Sequence, residues 1–496
     1  MKSSIFVLIV MFLLSGCSDF LDVTPKDKQT SEQLYRTKNG FYTVANGIYD
    51  GLSSVELYGQ QMSWEAIDIM SKRYVTTKAS LKFKDLCSNN YSSTYVSPVF
   101  TSIWKKAYEL IMAANLLIEQ VEQQHGILTE QEANLMKGEM LAVRAFLHLD
   151  MARLFGPCWD NNPDALSIPY HESTEVTTLP LLSFSTVMEK IIRDFNDAEV
   201  LLADDPVITS GPLASSVEGE SVQLRYRQFR FNYYSVIALK ARAYLWGGNK
   251  ESALVEAKRL LNDPKVHEYF PVVDPNKLLV NTTNPDRVFS SEVLTGVYVK
   301  KRDEIFSNYF ASTAPVSNFL QPHSTYVSGS QTSLFAHLLL GAETMDYRFQ
   351  SQWEGASGVG AKGHVFTKYR TIDKPDPDDE DSEYFYAVFM SLIRLSEMYY
   401  IAAESETTLV NKYGWLNQIR VKRGLPELPV TSEDDLMKNL RFEYLREFLG
   451  EGQIFFMYKR LYINIDKDEN GFNTSTYGGT EARYVLPMPS GEIENR

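Results

Sequence analysis

The chain has 496 residues, 44% hydrophobic and 23% charged, which is the make-up of a globular protein with a sizeable core and excludes wholesale disorder. Its 49 Lys and Arg against 63 Asp and Glu give a formal charge of −14, which disfavours a nucleic-acid partner, because phosphate binding draws on cationic side chains that release counterions. Three cysteines rule out a small disulfide scaffold, while an aromatic share of 12%, led by 29 Tyr and 27 Phe, admits either a thick helical core or exposed stacking platforms.

At the start of the chain, Lys2 precedes an apolar run of ten residues, Ile5 to Leu14, followed by Ser15, Gly16 and Cys17. Such a run is too short to span a bilayer and reads as a signal that is removed. The small residues directly before Cys17 resemble the lipobox of bacterial lipoproteins, in which the cysteine thiol is acylated and becomes the first residue of the mature chain. Residues 1–16 are then a signal peptide and residues 17–28 a lipidated tether, leaving 496 − 16 = 480 residues. Acyl chains supply membrane affinity at about 0.8 kcal/mol per buried methylene, so no transmembrane helix is needed. Cys87 and Cys158 are expected as separate buried thiols, although sequence leaves a pairing open.

Past the tether, helical patterns dominate. From Ser102 to Val121 apolar or small residues recur at Ile103, Ala107, Leu110, Ile111, Ala114 and Leu117, the stripe of an amphipathic helix. A second stripe covers Glu132 to Phe155 and stops at Gly156-Pro157, so the two predict a helical hairpin. Another helix is expected over Ser185 to Leu202. From Tyr233 to Leu261 a helix, a Gly247-Gly248-Asn249 turn and a second helix precede Pro264. Ala241, Tyr244, Ala253, Ala257 and Pro264 approximate the tetratricopeptide signature, in which small residues let paired helices approach and Tyr244 fills the gap between them. Further helices are expected over Phe389–Glu404, Tyr413–Arg423 and Glu433–Leu461.

Two blocks differ in composition. Residues 51–98 and 263–386 show little helical periodicity, and the longer one is rich in Ser, Thr, Asn, Gly and Pro, with β-prone pieces at Val293–Val299 and Val365–Tyr369. The longer block exceeds what a connection needs, and it is expected to be an irregular subdomain where function sits.

Most motifs in these blocks carry little chemistry. Gly358, Gly360 and Gly363 match a dinucleotide fingerprint as a string, but no strand precedes them and a strand-like stretch follows, so they read as a loop. The seven histidines are scattered, with no HExxH and no CxxC, which argues against zinc, and His148 reads as a packed helix residue. Asp466, Asp468, Asn470 and Gly471 match the first half of a calcium loop, yet Tyr477 stands where the bidentate glutamate belongs, which favours a plain turn and leaves calcium open. The acidic run Asp376 to Glu383 reads as a solvated loop, and no pair of carboxylates singles itself out for glycoside hydrolysis. What remains is aromatic: Trp64, Tyr74, Tyr91, Tyr95, Tyr326, Trp353, Tyr384 and Tyr386 lie in polar loops outside the helical stripes. A sugar ring has an apolar face that such rings can stack on while polar neighbours bind its hydroxyls. Each ring can equally pin its own loop to the body, and at least two of the set are expected to face a ligand.

The landmarks together resemble the SusD/RagB family of surface lipoproteins. They are the lipobox cysteine followed by Ser18 to Pro25, the run Ala142 to Gly156, the run Arg394 to Glu404, Leu416 to Arg420 leading to Gly424-Leu425-Pro426, Arg446 to Gly452 before Phe455 to Arg460, and Leu486-Pro487-Met488-Pro489. The resemblance implies a mainly α fold over residues 29–496, a right-handed superhelix of four tetratricopeptide-like helical hairpins carrying a loop-rich insertion subdomain. It implies a non-catalytic binder with no cofactor or metal, lipid-anchored at the cell surface on the outer membrane. There it would pass oligosaccharides to a SusC-like TonB-dependent transporter. Asp19 and Asp22 look like the family's export signal. By position, ligand binding would fall to Trp64, Asp68, Tyr91 and Tyr95 before the first repeat helix, and to Tyr326 and Trp353 in the long insertion. A RagB-like peptide binder and a tetratricopeptide-type protein scaffold are the alternative readings.

Overall fold

The computed structural model describes residues 31–76, 78–158, 162–212, 222–279, 285–322, 345–355, 364–370, 372, 387–463, 465 and 481–494. Its longer or better-packed helices are α1 (Lys38–Leu52), α2 (Ala66–Met70), α3 (Ser97–Gln123), α4 (Glu130–Phe155), α5 (Phe184–Leu201), α6 (Tyr233–Trp246), α7 (Lys250–Leu261), α8 (Leu395–Ser405), α9 (Leu409–Lys422), α10 (Glu433–Phe448) and α11 (Gln453–Arg460). Side chains that satisfy the first free N–H groups fix where several begin. Thr37 caps α1, Thr129 and Glu132 close a capping box on α4, and Asn232 and Ser235 do so on α6.

Most of these helices pack mainly on their neighbours in the order of helices, while α11 packs chiefly on α2. α4 lies against α3 and α5, α6 against α5 and α7, α7 against α8, and α8 against α9 and α10. That is the connectivity of a solenoid of helical pairs, whose core is continuous from one pair to the next. The α6–α7 hairpin follows the tetratricopeptide spacing: Ala241, Ala253 and Ala257 are buried and Tyr244 is half-buried against the core.

Two helices differ from their sequence pattern. The stripe over Glu132–Phe155 suggested one wet face, but α4 is buried on every side from Gly138 to Phe155. Its polar residues are therefore paired internally, as a buried charge must be. Arg144 makes a bidentate bond to Asp194 at 2.6 and 2.9 Å, and Arg153 pairs with Asp150 at 2.8 Å. His148 accepts the His171 N–H at Nε2, 3.1 Å away, which leaves Nδ1–H to donate to the Arg144 carbonyl at 2.9 Å. Burial holds this imidazole neutral, well below its ordinary pKa, with its ring stacked 3.8 Å from Tyr170. The pattern over Glu433–Leu461, expected as one helix, breaks into α10 and α11 at Gly450 (φ 81°) and Gly452 (φ 71°). A Cβ on Gly452 would sit 2.3 Å from the Met62 carbonyl oxygen, so this turn needs glycine both for its backbone and for its close approach.

The described part of the insertion contributes strands. β1 (Tyr74–Val75) pairs with β3 (Gln321–Pro322), β2 (Val293–Tyr298) with β6 (Phe389–Arg394), and β4 (Trp353–Gly355) with β5 (His364–Phe366), all antiparallel. β2 and β5 fall on the two β-prone pieces. Short helices at Pro264–Tyr269, Pro275–Leu279 and Tyr347–Gln352 interrupt what the composition suggested was continuous loop. Cys87 and Cys158 are not joined in a disulfide; Cys158 is buried as expected, and Cys87 is only half-buried.

A buried ionic cluster joins the insertion to the last helices. Glu447 of α10 pairs with Arg348, Arg394 and Arg423 at 3.0, 2.6 and 2.6 Å, Glu292 pairs with Arg423 at 2.7 Å, and Glu443 pairs with Arg348 at 2.7 Å. The arginines hold the Glu447 carboxyl well below the usual range and the Glu443 carboxyl at about 2, against the opposing effect of burial.

Candidate ligand-binding face

Of the six residues expected to bind ligand, three turn inward. Trp64 is 1% exposed, donates its Nε1–H to the Gly59 carbonyl at 3.0 Å, and packs 4.5 Å from Tyr309 and 6.1 Å from Phe310, centroid to centroid. Asp68 is fully buried and accepts from the Tyr74 hydroxyl and from the Gly450 and Gly452 N–H groups, the latter two at 2.9 and 3.3 Å. Burial pushes its carboxyl up to about 7, with these hydrogen bonds pulling the other way. Tyr91 is buried edge-on against Phe100 and donates its hydroxyl to the Arg483 carbonyl. With their faces covered and polar atoms used, the three pin loops to the body, the other role open to loop aromatics. Tyr95 is 52% exposed and Trp353 half-buried. Cys17 and Tyr326, like Tyr384, Tyr386, the 358–363 glycines, the 376–383 acids and the 466–471 calcium-like turn, lie outside the described residues.

Trp64 and Trp353 belong to one aromatic stack. From Trp64 it runs through Phe310 to Phe366, 5.6 Å further, and on to Trp353 at 4.8 Å. The rings of Trp64, Phe310 and Phe366 are buried, and the half-buried Tyr309 and Trp353 pack on Trp64 and Phe366, with Phe306, also half-buried, three residues before Tyr309. Phe306 and Tyr309 come from a widened helical turn, Phe306–Phe310, that follows Asp303–Ile305. One turn thus sends Phe310 inward and leaves its two companions half-open. The Arg370 guanidinium lies 4.7 Å from the Phe306 centroid and pairs with Glu354, next to Trp353 on β4. Near Tyr309, Glu65 pairs with Lys82 and accepts from Gln60 at 2.6 Å. Burial and the nearby Glu65 raise the Tyr309 pKa, so its hydroxyl stays protonated and able to donate.

This face offers what a sugar chain needs: ring surfaces for apolar C–H faces, and donors and acceptors at the edges for hydroxyls. Phe306, Tyr309 and Arg370 were not singled out in the sequence. Three aromatics within five residues, at 306, 309 and 310, carry the available signal, but no helical or strand period says which of them turns outward.

Residues 19–217 match the family model for SusD-like proteins, described as starch-binding and associating with the outer membrane, and residues 351–496 match the model of the SusD family. The chain belongs to the SusD family. Among curated relatives, SusD-like protein P38 of Formosa agariphila is 23% identical over 253 residues, 50% of this chain and 42% of P38. SusD-like protein P25 of the same organism is 19% identical over 302 residues, 59% of this chain and 51% of P25. The match thus spans about half the length of these curated relatives. In fold, the chain is similar to a SusD superfamily protein of Bacteroides thetaiotaomicron, with TM-score 0.70 and 20% identity over 92% of this chain and 98% of the other. It is also similar to a SusD-like carbohydrate binding protein of Bacteroides vulgatus, with TM-score 0.67 and 19% identity over 92% and 96%. A laminarin-binding SusD-like protein has TM-score 0.61 and 16% identity over 92% and 98%. These structures show the SusD fold, helical and tetratricopeptide-like, for this chain. SusD proteins form a carbohydrate-binding family associated with the outer membrane. No described helix is long and apolar enough to cross a membrane.

Proposed function

We propose that this SusD-family chain is a non-catalytic cell-surface lipoprotein, anchored through Cys17, that captures oligosaccharides and delivers them to a SusC-like TonB-dependent transporter. The observation that carries the proposal is the half-buried row Phe306, Tyr309 and Trp353, of which Tyr309 and Trp353 rest on the buried rings of Trp64 and Phe366 and Phe306 is joined to Glu354, next to Trp353, through Arg370, in a chain of a carbohydrate-binding family. Sugar rings stack on the row while Arg370, Glu354 and the Tyr309 hydroxyl fix their register. Tyr95, exposed at the entry to α3, and Tyr326 serve as further contacts for a longer chain. The charged groups at the edges are already paired with each other, Arg370 with Glu354 and Lys82 with Glu65. A charged peptide would have to break those pairs, whereas a neutral glycan need only add hydrogen bonds to them. For that reason glycan is favoured over peptide.

Calorimetry of the mature chain against laminarin, starch, mannan and galactan tests this reading. Tyr309→Ala and Trp353→Ala are each expected to weaken the bound glycan about tenfold, the order of one lost ring contact, without lowering the unfolding midpoint by more than a few degrees. No release of reducing ends is expected. Binding of none of these polymers, or variants that bind as the parent does, would overturn the proposed face. Loss of co-purification with a barrel partner would separately overturn the delivery step.

A further inference from the structure

A solvent-open cavity of about 420 Å³ shares no residue with this face. Its volume falls within the range of about 300–1,000 Å³ usual for small-molecule sites. Three segments remote in sequence form it: one side of α1, the stretch Gln223–Arg230 before α6, and the end of β2. Asn46, Tyr49 and Asp50 project from α1 at the spacing that puts residues on one helix face.

We infer that this cavity is a second carbohydrate subsite, built for one or two neutral sugar rings. The inference rests on the reading of the chain as a glycan binder and adds a site to it. Aromatic surface comes from all three of its segments. Tyr298 is 55% exposed at the end of β2 and lies 6.2 Å from Phe229, which is itself fixed edge-on against Phe389 at 4.7 Å. Tyr49 is locked from behind, donating to Glu139 at 2.9 Å and stacked near Phe231. Tyr226 lines the cavity from a left-handed backbone, φ 52°, which is uncommon for a bulky residue and must be held by its surroundings.

The polar lining selects the class of sugar. Arg230 lies 5.1 Å over the Tyr49 ring and donates to Asn46 and Gln223 at 2.6 Å each, with Glu139 at 3.4 Å. Its charge is therefore engaged, and it orients two amide side chains whose remaining N–H and C=O groups suit vicinal hydroxyls. Arg225 is buried and engaged as well. Asp50 is exposed, and its carboxylate has no partner among the described residues. An acidic sugar would meet that carboxylate with no unengaged cation to offset it, whereas a neutral sugar would give it hydroxyl donors.

The test is calorimetric stoichiometry on the mature chain with short malto-, laminari-, manno- and galacto-oligosaccharides, and with oligogalacturonate as the acidic probe. Two sites per chain are expected for at least one neutral series. Tyr298→Ala and, independently, Asn46→Ala should weaken one of them about tenfold and leave the other alone. Tyr309→Ala should do the reverse. Since Tyr298 and Asn46 are exposed, unfolding midpoints of their variants should match the parent. A single site that responds to Tyr309→Ala and not to Tyr298→Ala would overturn the second subsite and leave the proposed function standing. No binding of any neutral series would overturn both. Preference of the Tyr298-dependent site for oligogalacturonate would overturn the assignment to neutral sugars.

Discussion

Asp68 is the carboxylate at which the first loop block and the turn between α10 and α11 meet, through Tyr74 on one side and the Gly450 and Gly452 N–H groups on the other. Its pKa is raised from 3.8 to about 7, so the native state holds this proton more tightly than the unfolded chain does. The sign follows: the stabilisation is complete below about pH 4 and is lost as pH rises through about 7. Urea midpoints of the wild-type chain should therefore fall over that window, and those of Asp68→Asn should fall less, since the amide cannot ionise but still offers an oxygen to one glycine N–H. Parallel pH profiles for the two proteins would refute a raised Asp68. Residue type alone does not separate Asp68 from any other loop acid, nor Trp64 from Tyr309. Both rings sit in irregular blocks, and only packing makes one a buried post and leaves the other half-open.

At the scale of elements, periodicity locates helices well and fails where burial or backbone geometry is decided from outside. The α3–α4 and α6–α7 hairpins fall where their stripes and turn residues put them, because capping and i, i+4 burial are local matters. The full burial of α4 is not local, since α3, α5 and residues from elsewhere in the chain, among them Tyr58, Arg227 and Gln453, pack on it. The break between α10 and α11 depends on Met62, nearly 400 residues earlier in the chain. Gly452→Ala should cost more than the left-handed penalty of about 1–2 kcal/mol, because its Cβ also meets the Met62 carbonyl. Gly47→Ala, in α1 with nothing within 4 Å of the added carbon, should instead stabilise by about 0.5–1 kcal/mol. Chemical denaturation of the pair checks both signs.

Across the whole molecule, the ionic cluster around Glu447 ties Arg348 of the long loop-rich block, Arg394 at the end of β6 and Arg423 after α9 to α10. Removing one member leaves buried charges uncompensated, so Glu447→Gln is expected to cost about 3–5 kcal/mol in equilibrium unfolding, and a loss under about 1 kcal/mol would refute a structural role. Glu443, lowered from 4.5 to about 2, adds stability that is present above about pH 4.5 and is lost as pH falls towards 2. Acid unfolding should therefore set in over that range, read by loss of near-ultraviolet circular dichroism. Several members, among them Arg394, Glu447 and Glu451, belong to the runs that carried the family resemblance. Those runs mark the places where the fold is locked and say little about the ligand.

By itself, the sequence determined the helical class, the positions of most repeat helices and the family, because periodicity, caps, turn residues and motif order are written in neighbouring residues. Tertiary structure alone decided which aromatics are posts and which are open, which acids are engaged, and that α1, β2 and the segment before α6 enclose a cavity. Exposure and charge pairing are properties of residues brought together from distant parts of the chain. The aromatic excess that composition left ambiguous therefore divides, among the described residues, into buried rings that hold the fold and half-open or exposed rings, and only the latter are open to a ligand.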